Sequence, residues 1–229
     1  MLRISIVFSL ICFLTCAFVS ADSVTVVEAA RNQIGVTILY DHSYTKIAYP
    51  NGDVSAERGV CTDVIIRALR VSKSIDLQQL VHEDMKEHFS SYPKDWQLKA
   101  TDSNIDHRRV PNLRVYFRRH HRSLPVTQDP KDYQPGDIVT SVISGKLPHI
   151  MIVSDKVTWQ GVPLAIHNIG MGTREEDALF EYPITGHYRL KNYFEAIRAR
   201  VQELNHVSIS QVPANCLVYL VGCCHVEKQ

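Results

Sequence analysis

A cysteine stands in RGVCTDVIIRALR (58–70) where a glycine-marked loop turns into an amphipathic helix. A thiol attacks carbonyl carbon only as thiolate, and its free pKa of about 8.5 falls at a helix N-terminus or beside an imidazolium. Cys61 has the helix end. The bases on offer are His149, heading HIMIVSD, and His167 in AIHNIG, each at an edge of an apolar, strand-like run. There a side chain is held against its neighbours instead of moving in solvent. A zinc site built from His149, His167 and His187 is the competing chemistry, but no HxxxH or CxxC pair supports it.

These residues need elements to position them. DSVTVVEAARNQIG reads as a helix capped by Asp22 or Ser23, with Val27, Ala30 and Ile34 on one face and Gly35 ending it. The stretch 40–58 is loop-like and carries Tyr40, Tyr44 and Tyr49. From Cys61, the positions Val64, Ile65, Ala68 and Leu69 form one buried stripe, and Asp63 and Arg67 are spaced to pair on the other face. A second amphipathic helix starts at Asp76, with Gln79 in the capping-box position. RVYFRRHHR (114–122) is a dense basic run, read as a solvated face or loop.

Beyond Tyr133 the character changes. DIVTSVI, HIMIVSD, PLAIHNIG and ITGHYRL are short runs rich in Ile and Val, broken by turn residues, and read as successive strands of an antiparallel sheet. Helices first and strands second predict an α+β fold. KNYFEAIRARVQELN (191–205) carries a further helical stripe.

The N-terminus sets the compartment. Arg3, an uncharged apolar run over 4–19 and small residues ahead of Asp22 have the order of a secretory signal, with cleavage expected after Ala21. No later run has the roughly 20 apolar residues that a membrane span needs. The expected domains are a signal peptide (1–21), one catalytic domain (22–190) and a C-terminal extension (191–229). Cleavage removes Arg3 from a chain of net charge +1, leaving the remainder formally neutral. That balance argues against a nucleic-acid partner. Cys12 and Cys16 leave with the signal, and of the four remaining cysteines Cys216, Cys223 and Cys224 crowd the C-terminus. So lopsided a set does not describe a small disulfide-stapled scaffold.

GVCTDVIIRALR, YQPGDIV, HIMIVSD, AIHNIG and GHYRL, in this order, resemble the signature segments of the YijF-like family, a bacterial domain of unknown function placed among the NlpC-type, papain-like cysteine peptidases. The likeness runs over about 24–190. It implies N-terminal helices packed on a small antiparallel sheet, with Cys61 as nucleophile, His149 as general base and acid, and His167 orienting His149. Asn168 is the reserve for that third role. Tyr49, Asp63 and Asn168 are assigned to substrate contact, and Asp137 is a structural turn residue at the start of the sheet. The chain departs from the family pattern at Met151, where a small residue is usual, and at Thr140 and Ser141, which bring no aromatic ring. The implied activity is hydrolysis of an amide bond in peptidoglycan or another cell-envelope substrate, by an exported protein that uses no cofactor and keeps no stable membrane insertion. The alternatives are an inactive cell-envelope binding module of the same fold and an acyltransferase or amidase on another amide or lipid.

Overall fold

The computed structural model describes residues 24–96 and 98–190. The expected signal segment, the expected C-terminal helix and Cys216, Cys223 and Cys224 lie outside the described residues. No helix among the described residues is long and apolar enough to cross a membrane.

The chain is α+β. Four helices, α1 (Val26–Arg31), α2 (Cys61–Lys73), α3 (Leu77–Glu87) and α4 (Val110–Arg119), accompany two small strands, β1 (Leu39–Tyr40) and β2 (Arg58–Gly59). The main sheet is built from β3 (Ser123–Leu124), β4 (Ile138–Ile143), β5 (Leu147–Val157), β6 (Pro163–Asn168), β7 (Thr173–Glu176) and β8 (Ile184–Tyr188), in the spatial order β3-β8-β4-β5-β6-β7. All its pairings are antiparallel. The four Ile- and Val-rich runs are β4, β5, β6 and β8.

Both faces of the sheet are covered, which is why HIMIV is continuously apolar rather than alternating. Ile138, Ile150, Ile152 and Ile166 pack with α2, α3 and α4 in the larger core. Val139, Met151, Val153 and Ala165 face the other way, onto Tyr133, Ala178 and Leu179. Side chains alternate along a strand. His149 and His167 therefore share the second face with Met151 and Ala165.

Helix α2 buries the stripe read from its periodicity: Cys61, Val64, Ile65, Ala68 and Leu69. Its charges pair differently from the spacing. Asp63 points inward to Arg108, whose Nε and Nη2 each donate to it at 2.9 Å. Arg67 instead grips Asp53, at 2.8 and 3.0 Å. Burial decides this: an Asp63 only 3 % exposed needs a partner that is buried too, and Arg108 is 7 % exposed.

Four local expectations also change. Helix α1 is capped by Thr25, whose hydroxyl accepts from the Glu28 N–H while Glu28 accepts from the Thr25 N–H, so TVVE is a complete capping box ahead of Asp22 and Ser23 in claim. The helix stops at Arg31, which leaves Ile34 exposed. Asp76 does cap α3, but Gln79 donates to Glu83 instead of closing a box. The basic run is no loop: most of it is α4, with Val115, Tyr116 and Phe117 buried, Arg114 donating to the Thr185 carbonyl and Arg119 bound to Asp84.

Two stability predictions follow from these charges. Arg108→Met strands a buried carboxylate and should lower the unfolding free energy by about 3–5 kcal/mol, whereas Asp53→Asn, at a partly exposed pair, should cost no more than about 1 kcal/mol. Urea unfolding of the two variants measures both; equal losses would show that the buried pair carries no special weight. At the β7 edge of the sheet Arg31, with burial opposing and Lys156 and Ser154 adding to it, holds Glu175 down to about 2. An unfolded glutamate titrates near about 4.3, so this contribution is complete above that value and lost as pH falls through the folded pKa. Acid unfolding of Glu175→Gln, followed by circular dichroism, should show a shallower loss across that window. An acid limb identical to that of the parent protein would remove Glu175 from the explanation.

Candidate active site

The loop before α2 is drawn tight by backbone contacts. The Val60 N–H donates to Asp63 at 2.7 Å, so the carboxylate closes the helix N-terminus that Val60 itself has no oxygen to cap. Glycine at position 59 suits this close approach: a Cβ there would lie 3.0 Å from the Asp63 oxygen and 3.1 Å from its Cβ, so that the carboxylate would have to shift by a few tenths of an ångström. The Arg108 guanidinium also donates to the carbonyls of Asp41 and Ser43, at 3.3 and 3.5 Å. One buried ion pair thus fixes both the head of α2 and the loop across from it.

Cys61 carries a free thiol and is 5 % exposed. It lines a cleft of about 190 Å³ together with residues that include Tyr40, Trp96, Arg108, Arg109 and Pro148. Tyr40 arrives there because β1 pairs with β2 in register, Tyr40 opposite Gly59. Burial, and then the neighbouring Cys61 and Asp63, push the Tyr40 hydroxyl up to about 12, with Arg108 opposing. The hydroxyl therefore lies within electrostatic reach of the sulfur.

His149 and His167 meet directly. Nε2 of His149 lies 2.7 Å from Nδ1 of His167, and Nε2 of His167 lies 3.0 Å from Oε1 of Glu176. This chain assigns the tautomers. A carboxylate only accepts, so His167 donates from Nε2 and its Nδ1 is left with a lone pair. His149 must then donate from Nε2, which leaves its Nδ1 bare and basic. No hydrogen bond engages that nitrogen among the described residues.

Burial keeps the groups neutral. It pushes the Cys61 thiol up to about 12, against the pull of the Ile150 N–H directed at the sulfur. It pushes His149 down to about 3, with His167 adding to the effect. His167 is also lowered by burial, and Glu176 resists. At neutral pH the resting site is thus thiol and imidazole rather than thiolate and imidazolium, a difference from the activated thiol that the helix end alone suggests. No hydrogen bond joins sulfur and imidazole; the contact runs through Ile150, one residue along β5 from His149.

The other sequence candidates divide. Asn168 does not touch His149; its amide donates to the Gly59 carbonyl at 3.1 Å and its oxygen accepts from the Gly170 N–H, so it braces the loop that leads to Cys61. Asp63 has both oxygens engaged by Arg108 and Val60, and acts on the cleft through them. Tyr49 does not line the cleft; it packs edge-on against His82, ring centroids 5.2 Å apart. His187 lies apart from the other two histidines, with Nε2 2.7 Å from Asp137 and its ring stacked on Tyr133. Asp137, which also binds Arg189, ties the start of β4 to the end of β8. No group of three or more residues among the described ones is arranged to hold a metal. Sequence reasoning missed Glu176, Arg108, Arg109 and Trp96. Only the register of β6 against β7, with Ala165 opposite Glu176, brings that glutamate to His167.

Comparison with known proteins places this geometry in a family. An uncharacterized protein of Escherichia coli (strain K12), YijF, is 54 % identical over 167 residues, which cover 73 % of this chain and 81 % of that one. No solved structure gives a significant match. The family described as "Domain of unknown function (DUF1287)" matches residues 27–190, which hold the sheet, the cleft and all of the helices but Val26, and the chain belongs to that family.

Proposed function

We propose that the protein is an exported thiol hydrolase of NlpC-like, papain-like type that cleaves an amide bond, with peptidoglycan stem peptides as its substrate class. One observation carries the reading: a free thiol at a helix head, in an open cleft, lies next to a strand whose histidine is oriented by a second histidine and a carboxylate. The export rests on the signal-like N-terminus.

The neutral resting pair dictates the order of events. The step requires Nδ1 of His149 to reach the sulfur past Ile150 at the start of β5; as the sulfur attacks the carbonyl carbon, its proton passes to that nitrogen, and the new positive charge is stabilised through His167 by Glu176. The oxyanion is met by the backbone N–H at the head of α2 and by the Tyr40 hydroxyl. The C–N bond then breaks as His149 returns the proton to the leaving amine, giving a thioester on Cys61. Water attacks the thioester with His149 again taking a proton; the S–C bond breaks, the acid leaves and the thiol is restored. No cofactor enters the sequence.

A second reading has one observation in its favour: the thiol is almost fully buried and held neutral. A binding module that retains the cleft without cutting would have the same resting state. Incubation of the mature protein with purified muropeptides, read by mass spectrometry, separates the two. The hydrolase should release amine and carboxyl fragments, lose all activity in Cys61→Ala, and lose on the order of 10²-fold or more in His149→Ala. Glu176→Gln should lower kcat by about tenfold with little change in KM, because it removes only the far end of the relay. Intact muropeptides, retained on a column of the protein, would give the binding module its place.

A further inference from the structure

Buried polar atoms without a partner gather behind the wall of the cleft. They are Nδ1 of His82 on α3, Oδ1 of Asp106 in the 3-10 turn Asp106–Arg108, and Nη1 of Arg109, the N-cap of α4. Asp106 is fully buried. Its Oδ2 accepts from the Asp102 N–H at 2.6 Å, and among the described residues no other hydrogen bond reaches the carboxylate. Two side chains stand just out of reach. Nδ1 of His82 is 3.5 Å from Oδ2, and Nη1 of Arg109 is 3.9 Å from Oδ1. A fully buried carboxylate is costly without a charged partner, so closure by one of the two is favoured.

The two close on different terms. Arg109 is always charged, and its guanidinium lies over the Trp96 ring, 4.3 Å from the centroid. Moving Nη1 onto Oδ1 therefore moves the stack. His82 is a strong partner only with a proton on the ring, and histidine is the side chain whose charge ordinarily changes between about pH 5 and 8. Burial raises the pKa of Asp106, against the Asp102 N–H, His82 and Arg109, so the carboxylate favours a proton that His82 can share. The other groups facing this place keep their protonation across that range. Tyr49, edge-on to His82 at 5.2 Å, is raised by burial and then by Glu83 and Asp76, and stays neutral. His107 is pushed down to about 4 by burial, with Arg108 adding to it, and stays neutral too. Asp102, with burial opposing, is held low by Asn104 and Tyr44 and stays charged. Arg108 is bound to Asp63.

From this we infer that a proton on the His82–Asp106 pair and the Arg109 guanidinium compete for one buried carboxylate, and that the winner sets the position of Arg109 against Trp96. With the proton bound, His82 and Asp106 satisfy each other and Arg109 stays on the ring. With the proton gone, Arg109 is the remaining cation, and Nη1 closes on Oδ1 and draws the guanidinium from Trp96. Acid thus releases the arginine and alkali withdraws it. Ile105, Arg109 and Trp96 all line the cleft, so the competition is a pH-driven adjustment of its wall. The inference stands on the buried cluster alone and does not depend on what the cleft binds or cleaves.

Competition is reciprocal, which supplies the test: whatever holds Asp106 against the proton must lower the pH at which the proton leaves. The chain has two tryptophans, Trp96 and the exposed Trp159, so in a Trp159→Phe background Trp96 alone reports. Its emission is followed in the full chain from pH 5 to 8, beside the NMR resonance of the His82 ring. One transition is expected, with the same midpoint by both probes. His82→Gln should leave the emission flat, whereas His42→Asn, which removes the histidine that lines the cleft itself, should leave the transition in place. Asp106→Asn should move the His82 midpoint to lower pH. Arg109→Gln should move it to higher pH, with a proton affinity about fivefold greater or more, because the proton has lost its competitor. Flat Trp96 emission before any change to the cluster, or a His82 midpoint that Arg109→Gln does not raise, would overturn the inference. The first of these needs no substitution at His82, Asp106 or Arg109 to fold.

Discussion

Between His149 and His167 there is room for one proton. The 2.7 Å contact of their facing nitrogens requires one ring to donate and the other to accept, and Glu176 decides which. Because the carboxylate claims a hydrogen from the far side of His167, each ring is turned the same way, and the bare nitrogen of the series emerges at Nδ1 of His149. The apolar second layer of the sheet excludes water from the pair, so neither ring is left to choose its tautomer by solvation. The sheet register and the position of β7 hold these three groups in line.

The other fixed point is the buried Asp63–Arg108 pair. It fastens the head of α2 to the loop 41–43 and sets one wall of the cleft, so that a thiol, a tyrosine hydroxyl and an exposed face of Arg109 come together around one space. Such a pair gains little over well-packed apolar groups but is costly to break. Its role here is geometric. Asn168 gives the same loop a second tether, from the end of β6, which couples the strand of His167 to the residue two positions before Cys61.

Much of this was legible in the sequence because it is periodic or local. The stripe of α2 and the four Ile- and Val-rich strands follow from spacing, and Cys61, His149 and His167 stand out by type and position. What was not legible is long-range or polar. Arg108 lies 45 residues from Asp63, so the i, i+4 neighbour Arg67 looked like the partner until burial favoured the distant one. The strand β7 reads TREE, with no apolar alternation to announce it, and it hides Glu176. The basic run around Arg118 conceals a helix because Val115, Tyr116 and Phe117 supply its buried face among the charges. The neutral state of the thiol was also out of reach: the helix end argues for a lowered pKa, and only the tertiary packing shows that burial wins.

The central claim is that His149 serves Cys61 as its base, and alkylation measures it most directly. The rate of iodoacetamide reaction at Cys61 is followed against pH by intact mass, for the parent protein and for His149→Ala. At neutral pH the parent protein should react faster by on the order of 10², with the two curves converging at high pH, where the thiol ionises without help. Superimposable curves throughout would mean that the imidazole does not reach the sulfur, and would contradict the account.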